Sequence, residues 1–82
     1  MGRRGTVAAI HGDMVAIATD DDGLTVVEVS GWDVELGDDI SWVNDYGLGS
    51  EVYENRTKRS RDEVYVQDHS MDHQTFVKTY CR

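Results

Sequence analysis

Apolar residues in this chain come in short runs that alternate with polar ones, and turn residues break the runs at hairpin spacing. Thr6-Val7-Ala8-Ala9-Ile10 is the first run, and His11-Gly12-Asp13 turns it into Met14-Val15-Ala16-Ile17-Ala18-Thr19. The second run is apolar on both faces, as a strand is when both its faces are covered. Asp20-Asp21-Asp22-Gly23 is the next turn. Its Gly accepts a positive φ, and its Asp side chains bond nearby backbone amides. In the third run, Leu24 to Val29, alternation places Thr25, Val27 and Val29 on one face and Leu24, Val26 and Glu28 on the other. A connection over 31–38 carries Trp32, Val34 and Leu36. The fourth run, 39–43, faces Ile40 and Trp42 to the core, and a Gly-rich turn over 44–49 leads to a fifth run over 50–55. A basic loop follows, then a sixth run over 63–67 with Val64 and Val66 pointing inward.

Short strands at this spacing, with little helix, predict an all-β fold: a small antiparallel barrel of five or six strands. Closure removes the exposed strand edges that a small β-protein must otherwise protect. The tail carries two signals. Ser70 suits a helix cap with Asp72 in the first turn, which would put Phe76, Val77 and Tyr80 on one face. Thr75 to Tyr80 is nevertheless rich in strand formers. The reading favours a short helix covering one end of the barrel, with a strand as the alternative. The 82 residues then form a single domain, with the barrel over 6–67 and a turn and short helix over 68–82.

A chain of this size buries only about 60% of its unfolded surface, so each apolar strand counts. Cys81 is the one cysteine and excludes a disulfide within the chain. Its place beside the C-terminus carries no nucleophile signature. Arg3 and Arg4 precede apolar residues, but His11, Gly12 and Asp13 interrupt the run, and strand alternation explains it better than a leader peptide does. No stretch approaches the roughly 18 apolar residues of a membrane span. Gly2 and Thr6 fit the loose myristoylation pattern by chance. The expectation is a soluble, cytoplasmic protein with no membrane partner.

The net charge of -8 is unevenly placed. Residues 5–55 hold twelve acidic side chains and no Lys or Arg. Arg3 and Arg4 precede that block, and the other six basic residues follow it. The body therefore repels phosphate, and only the ends attract it. Such a surface suits a salt-loving host, and equally an acidic face that docks a basic partner.

Gly5-Thr6-Val7, Gly12-Asp13-Met14 and Gly37-Asp38-Asp39-Ile40 together resemble the Gly-Asp rhythm of small OB-like and SH3-like barrels. Small bacterial barrel proteins of uncharacterised function are similar over about residues 5–67, including Asn55-Arg56-Thr57 and Val64-Tyr65-Val66-Gln67. Residues 5–43 also resemble the hydrogenase-maturation chaperone family through the Gly-Asp-Met turn. That family depends on a Cys immediately after the initiator Met, and here the position is Gly2. The resemblance implies a fold and not that activity.

Four basic residues, Arg56, Lys58, Arg59 and Arg61, alternate with Asn55, Thr57 and Ser60, all suited to phosphate oxygens. OB-like barrels bind single strands with loops and a strand face, and Trp42, Tyr53 and Tyr65 offer stacking surfaces. The competing reading is a solvated hairpin tip whose cations neutralise the acidic barrel, with Trp42 in the core. His69 and His73 stand four apart, so a helix would align them as metal ligands beside Asp68 and Asp72, but the ligand set is incomplete. Asp20 to Asp22 lack the alternating ligands and distant Glu of a calcium loop. Asn55-Arg56-Thr57 matches a glycosylation triplet by chance. No base, nucleophile and oxyanion set emerges, and Asp38 and Asp39, adjacent on a strand, point to opposite faces. The expectation is a non-catalytic binding module without cofactor or metal, contacting a protein partner or a second copy of itself. The alternative is a weak single-stranded nucleic-acid binder using Arg56, Lys58, Arg59 and Arg61.

Overall fold

A computed structural model of the protein describes residues 2–80. Six strands appear in chain order: β1 (Arg3–His11), β2 (Met14–Thr19), β3 (Leu24–Glu28), β4 (Asp39–Trp42), β5 (Gly49–Asn55) and β6 (Ser60–Met71). One helix, α1 (His73–Tyr80), follows. The strands close into a barrel in the order β1-β2-β3-β6-β5-β4, every pair antiparallel. Two three-stranded meanders, β1–β3 and β4–β6, are joined edge to edge at β1–β4 and β3–β6.

The barrel is filled by inward residues of alternating register. Val15 and Ile17 of β2, Val27 of β3, Tyr53 of β5 and Val64 and Val66 of β6 meet Ile40 and Trp42 as expected. Gly5 lies where β1 presses against β2: a Cβ there would stand 2.6 Å from the Ala18 carbonyl oxygen and from Ile17 Cγ2. The close approach explains a Gly within a strand. Between Val7 and Ala9 the β1–β2 register shifts, leaving Ala8 as an extra residue. This bulge moves Ala9 from the interior to the outer face.

A second apolar cluster covers that outer face. Ala16, Leu24 and Val26 pack under Phe76 of α1, with Ala9, Met14, Ala18, Met71 and Tyr80 around them. Strand β2 is apolar on both faces because the barrel interior takes one side and α1 the other. The helix therefore lies along β2–β3 and does not cover an end of the barrel. Asp72, not Ser70, caps it: Asp72 Oδ1 accepts the Thr75 amide at 2.7 Å. Those amide bonds also hold the Asp72 carboxyl below its ordinary range. Ser70 belongs to β6, has a φ of 57°, and donates to Asp22 Oδ2 at 2.6 Å. The strand formers of the tail yield to helix because capping and the burial of Phe76 act together. Phe76 and Tyr80 turn to the barrel, whereas Val77 stays exposed.

Strand β6 begins and ends beyond the expected 63–67, so the barrel strands run from Arg3 to Met71. Its polar end, Asp68-His69-Ser70, stays in the sheet because β3 holds it through the pairs Val26↔Asp68 and Leu24↔Met71, with a bulge between them where Ser70 takes its positive φ. Among the described residues, no helix is long and apolar enough to cross a membrane.

Candidate functional site

The basic loop is the tip of the β5–β6 hairpin, residues 56–59 between the paired Asn55 and Ser60. Most of its polar groups turn back into the protein. Asn55 is fully buried. Its Nδ2 donates to Asp38 Oδ2 at 2.8 Å, and its Oδ1 accepts the Lys58 amide at 3.1 Å. The Lys58 ammonium lies 2.9 Å from Asp33, 2.7 Å from Glu35 and 3.8 Å from Asp38. Hydrogen bonds to Glu35 and Asp33 hold the Lys58 pKa well above its ordinary value. The Asp38 carboxyl is held below its ordinary range, chiefly by the Asn55 bond, although burial opposes this. Thr57 Oγ1 accepts the Asp39 amide at 2.9 Å, and Ser60 Oγ accepts Trp32 Nε1 at 3.1 Å. The three polar side chains suited to phosphate thus fasten the hairpin to the β3–β4 connection and the start of β4.

Of the four cations, Lys58 is committed to that clamp. Arg56 Nε sits 3.9 Å from Asp39, which also takes Arg4 at 2.6 Å. Arg59 and Arg61 form no ion pair with the described residues and are exposed. The stacking surface shrinks likewise. Trp42 and Tyr53 are buried and stacked on each other, ring centroids 4.6 Å apart and 2° from parallel. Only Tyr65 of the three aromatic residues is exposed. The Tyr53 hydroxyl is buried without a hydrogen-bond partner among the described residues, and burial pushes its pKa up.

The outer surface of β4–β6 has a different character. Strands β4 and β5 pair at only three positions, the last being Trp42↔Tyr53, and the chain then splays apart. A groove of about 640 Å³ opens between Val43 and Val52, rimmed by Glu51, Glu54 and Arg61. Val43 is 81% exposed and Val52 54%. Alternation that turns Trp42 and Tyr53 inward turns these two valines outward. That signal is present in the sequence, but each valine is a single apolar residue beside a core aromatic, so alternation alone does not mark the pair as a site.

The loop that gives Val43 and Asn44 to this groove is tied to the barrel by His69. Its Nε2 donates to the Gly47 carbonyl at 3.0 Å, which leaves Nδ1 to accept the Thr25 hydroxyl at 3.0 Å. Tyr46 meets the imidazole edge-on at 5.5 Å, and the Arg3 guanidinium lies 4.8 Å above the Tyr46 ring. Asn44 donates to Glu51 Oε2 at 3.0 Å. The 43–48 loop is therefore fastened at several points, and its first two residues line the groove.

His69 lies on β6 and His73 opens α1, so the two do not share a helix face. Among the described residues, no group of three or more His, Cys, Asp or Glu is placed to hold a metal. Cys81 lies outside the described residues. The Asp20–Asp22 segment is a turn, with Gly23 at a φ of 67°. There the Thr19 hydroxyl oxygen, rather than an Asp, accepts the Asp22 amide at 3.1 Å. No family model, curated protein or solved structure matches the chain. The rhythm shared with OB-like and SH3-like barrels thus extends to a six-stranded antiparallel barrel and identifies no family.

Proposed function

We propose that the protein is a non-catalytic binding module whose outer β4–β6 face docks a protein partner. One observation carries this reading. The chain covers the apolar outer face of β2–β3 with Phe76, yet leaves Val43 and Val52 open on either side of a shaped groove. Exposed apolar side chains flanking a groove with a polar rim are the usual form of a docking surface. The buried carboxylate Asp38 supports a non-catalytic role, because its bonds to Asn55 and the Glu35 amide spend it on architecture.

A weak single-stranded nucleic-acid contact is the second reading. It is favoured by Arg59 and Arg61, which have no ion-pair partner among the described residues, with Arg56 beside them. Lys58 drops out of that set. Two or three phosphate contacts give weak binding that salt abolishes, against a net charge of -8.

Two double variants separate the readings. Val43→Asp with Val52→Asp should abolish co-purification of a protein partner from the native host. Arg56→Ser with Arg59→Ser, both away from the groove, should leave it intact. Salt-sensitive affinity for a fluorescent oligonucleotide that only the arginine pair abolishes, with no protein partner retained by the wild type, overturns the proposal.

A further inference from the structure

We infer that the groove between Val43 and Val52 takes an extended segment of a partner protein in which a cationic side chain and an apolar one stand two positions apart. This rests on the docking reading above and goes on to name the chemistry of the occupant.

The first argument is size. A stable dimer face buries roughly 800 Å² per partner, about a sixth of the 4936 Å² surface of this chain. The groove offers two valines and a volume of about 640 Å³, a space for a few residues rather than a whole domain. A second copy would also bring another net charge of -8 against the first.

The second argument is charge. Arg3, which lines the groove, is already committed: it lies 3.1 Å from Asp21 and 3.8 Å from Asp22, over the Tyr46 ring. Glu54 and Glu63 have no cation within 4.0 Å among the described residues, and Glu51 has only the Asn44 amide. Of the groove's own lining, Glu51 and Glu54 stand against Arg61, the cross-strand partner of Glu54, so its free charge is one minus two, or -1, and Glu63, opposite Val52 on β6, adds a carboxylate beside it. The face therefore favours a cation.

The third argument is spacing. Side chains two apart on a strand share a face and stand about 7 Å from each other. Val52 and Glu54 are two apart on β5 and both point outward. An extended segment lying along β5 has the same repeat, so an apolar side chain over Val52 places its second neighbour over Glu54.

The test is a titration of the 15N-labelled protein with three blocked heptapeptides, read by backbone amide shifts. The first carries Val at its fourth position and Lys at its second and sixth in a threonine background, so that either strand direction places a Lys over Glu54. The second has Glu in place of both Lys, and the third has Ser in place of that Val. The inference predicts that the first alone shifts the amides of Val43, Asn44, Val52 and Glu54, at peptide concentrations on the order of millimolar. Glu54→Gln should weaken it roughly two- to fivefold. Val52→Ser should abolish the shifts while the rest of the spectrum stays in place. If the Glu peptide binds the groove equally well, docking stands and the cationic rule falls. If no peptide shifts these amides, both fall. If the same amides broaden with protein concentration alone, the occupant is a second copy, and the inference is overturned.

Discussion

Replacing Asn55 with Ala removes the polar centre of the β5–β6 hairpin. The wild-type side chain donates to Asp38 at 2.8 Å and to the Asp33 carbonyl at 3.4 Å, and accepts the Lys58 amide at 3.1 Å. After the change, Asp38 is still buried and keeps only the Glu35 amide at 2.9 Å and the Lys58 ammonium at 3.8 Å. A hydrogen bond to a charged group is worth about 1.5–3 kcal/mol, and a stranded amide adds to that, so Asn55→Ala should cost about 2–4 kcal/mol. A chain of this length has a total stability of about 4–12 kcal/mol. The melting temperature should then fall by roughly 10–30 °C. Urea unfolding followed by tryptophan fluorescence is the assay, since Trp32 reports from the same node through Ser60. Arg59→Ala, with no ion-pair partner among the described residues, is the control and should stay within about 0.5 kcal/mol. A loss below about 1 kcal/mol for Asn55→Ala, or an equal loss for Arg59→Ala, would refute the view that this loop is a clamp.

Three further outcomes follow from particular side chains. Tyr53→Phe keeps the stack on Trp42 and deletes a buried hydroxyl that has no partner, so it should stabilise the fold by roughly 1 kcal/mol in thermal unfolding; destabilisation would mean the hydroxyl is satisfied in solution. Phe76→Ala uncovers the outer face of β2–β3 and should cost about 3–5 kcal/mol in urea unfolding, with loss of the helical signal in circular dichroism; an unchanged helical signal would show that Phe76 does not hold α1. Asp38 has its folded pKa below its unfolded one, so its contribution is present above about pH 4 and fades as pH falls through the folded value. The melting-temperature gap between the wild type and Asp38→Asn should therefore narrow from about pH 6 to about pH 3, and a gap that stays constant would contradict this assignment.

The six strands were legible as short runs of strand formers between turn residues, and the inward places of Ile40, Trp42, Val64 and Val66 follow from the period-two pattern of their runs. The far end of β6 was not. Asp68, His69 and Ser70 read as loop, and pairing with β3, the two bonds of His69 and the bond of Ser70 to Asp22 keep them in the sheet. The seat of α1 was half legible. The two-sided apolarity of β2 called for a cover on its outer face, and Phe76 supplies it. Local spacing alone does not say which face a tail returns to.

The basic loop was the most misleading stretch, because a run of cations looks the same whether it faces solvent or folds back. Its fate is decided by Asp33, Glu35 and Asp38, some twenty residues away in sequence and brought close by barrel closure. The groove was hidden for a related reason. It exists because β4 stops at Trp42 while β5 reaches back to Gly49, a mismatch of strand lengths that no single stretch displays.

Docking by the β4–β6 face is tested most directly by a photo-crosslinking side chain at position 52 in the native host. Positions 77, on the exposed side of α1, and 59, in the basic loop, serve as controls. Position 52 should give discrete protein adducts that excess wild-type protein competes away and the Val43→Asp, Val52→Asp variant does not. Adducts that arise only from position 59, or that nuclease removes, would contradict docking through this face.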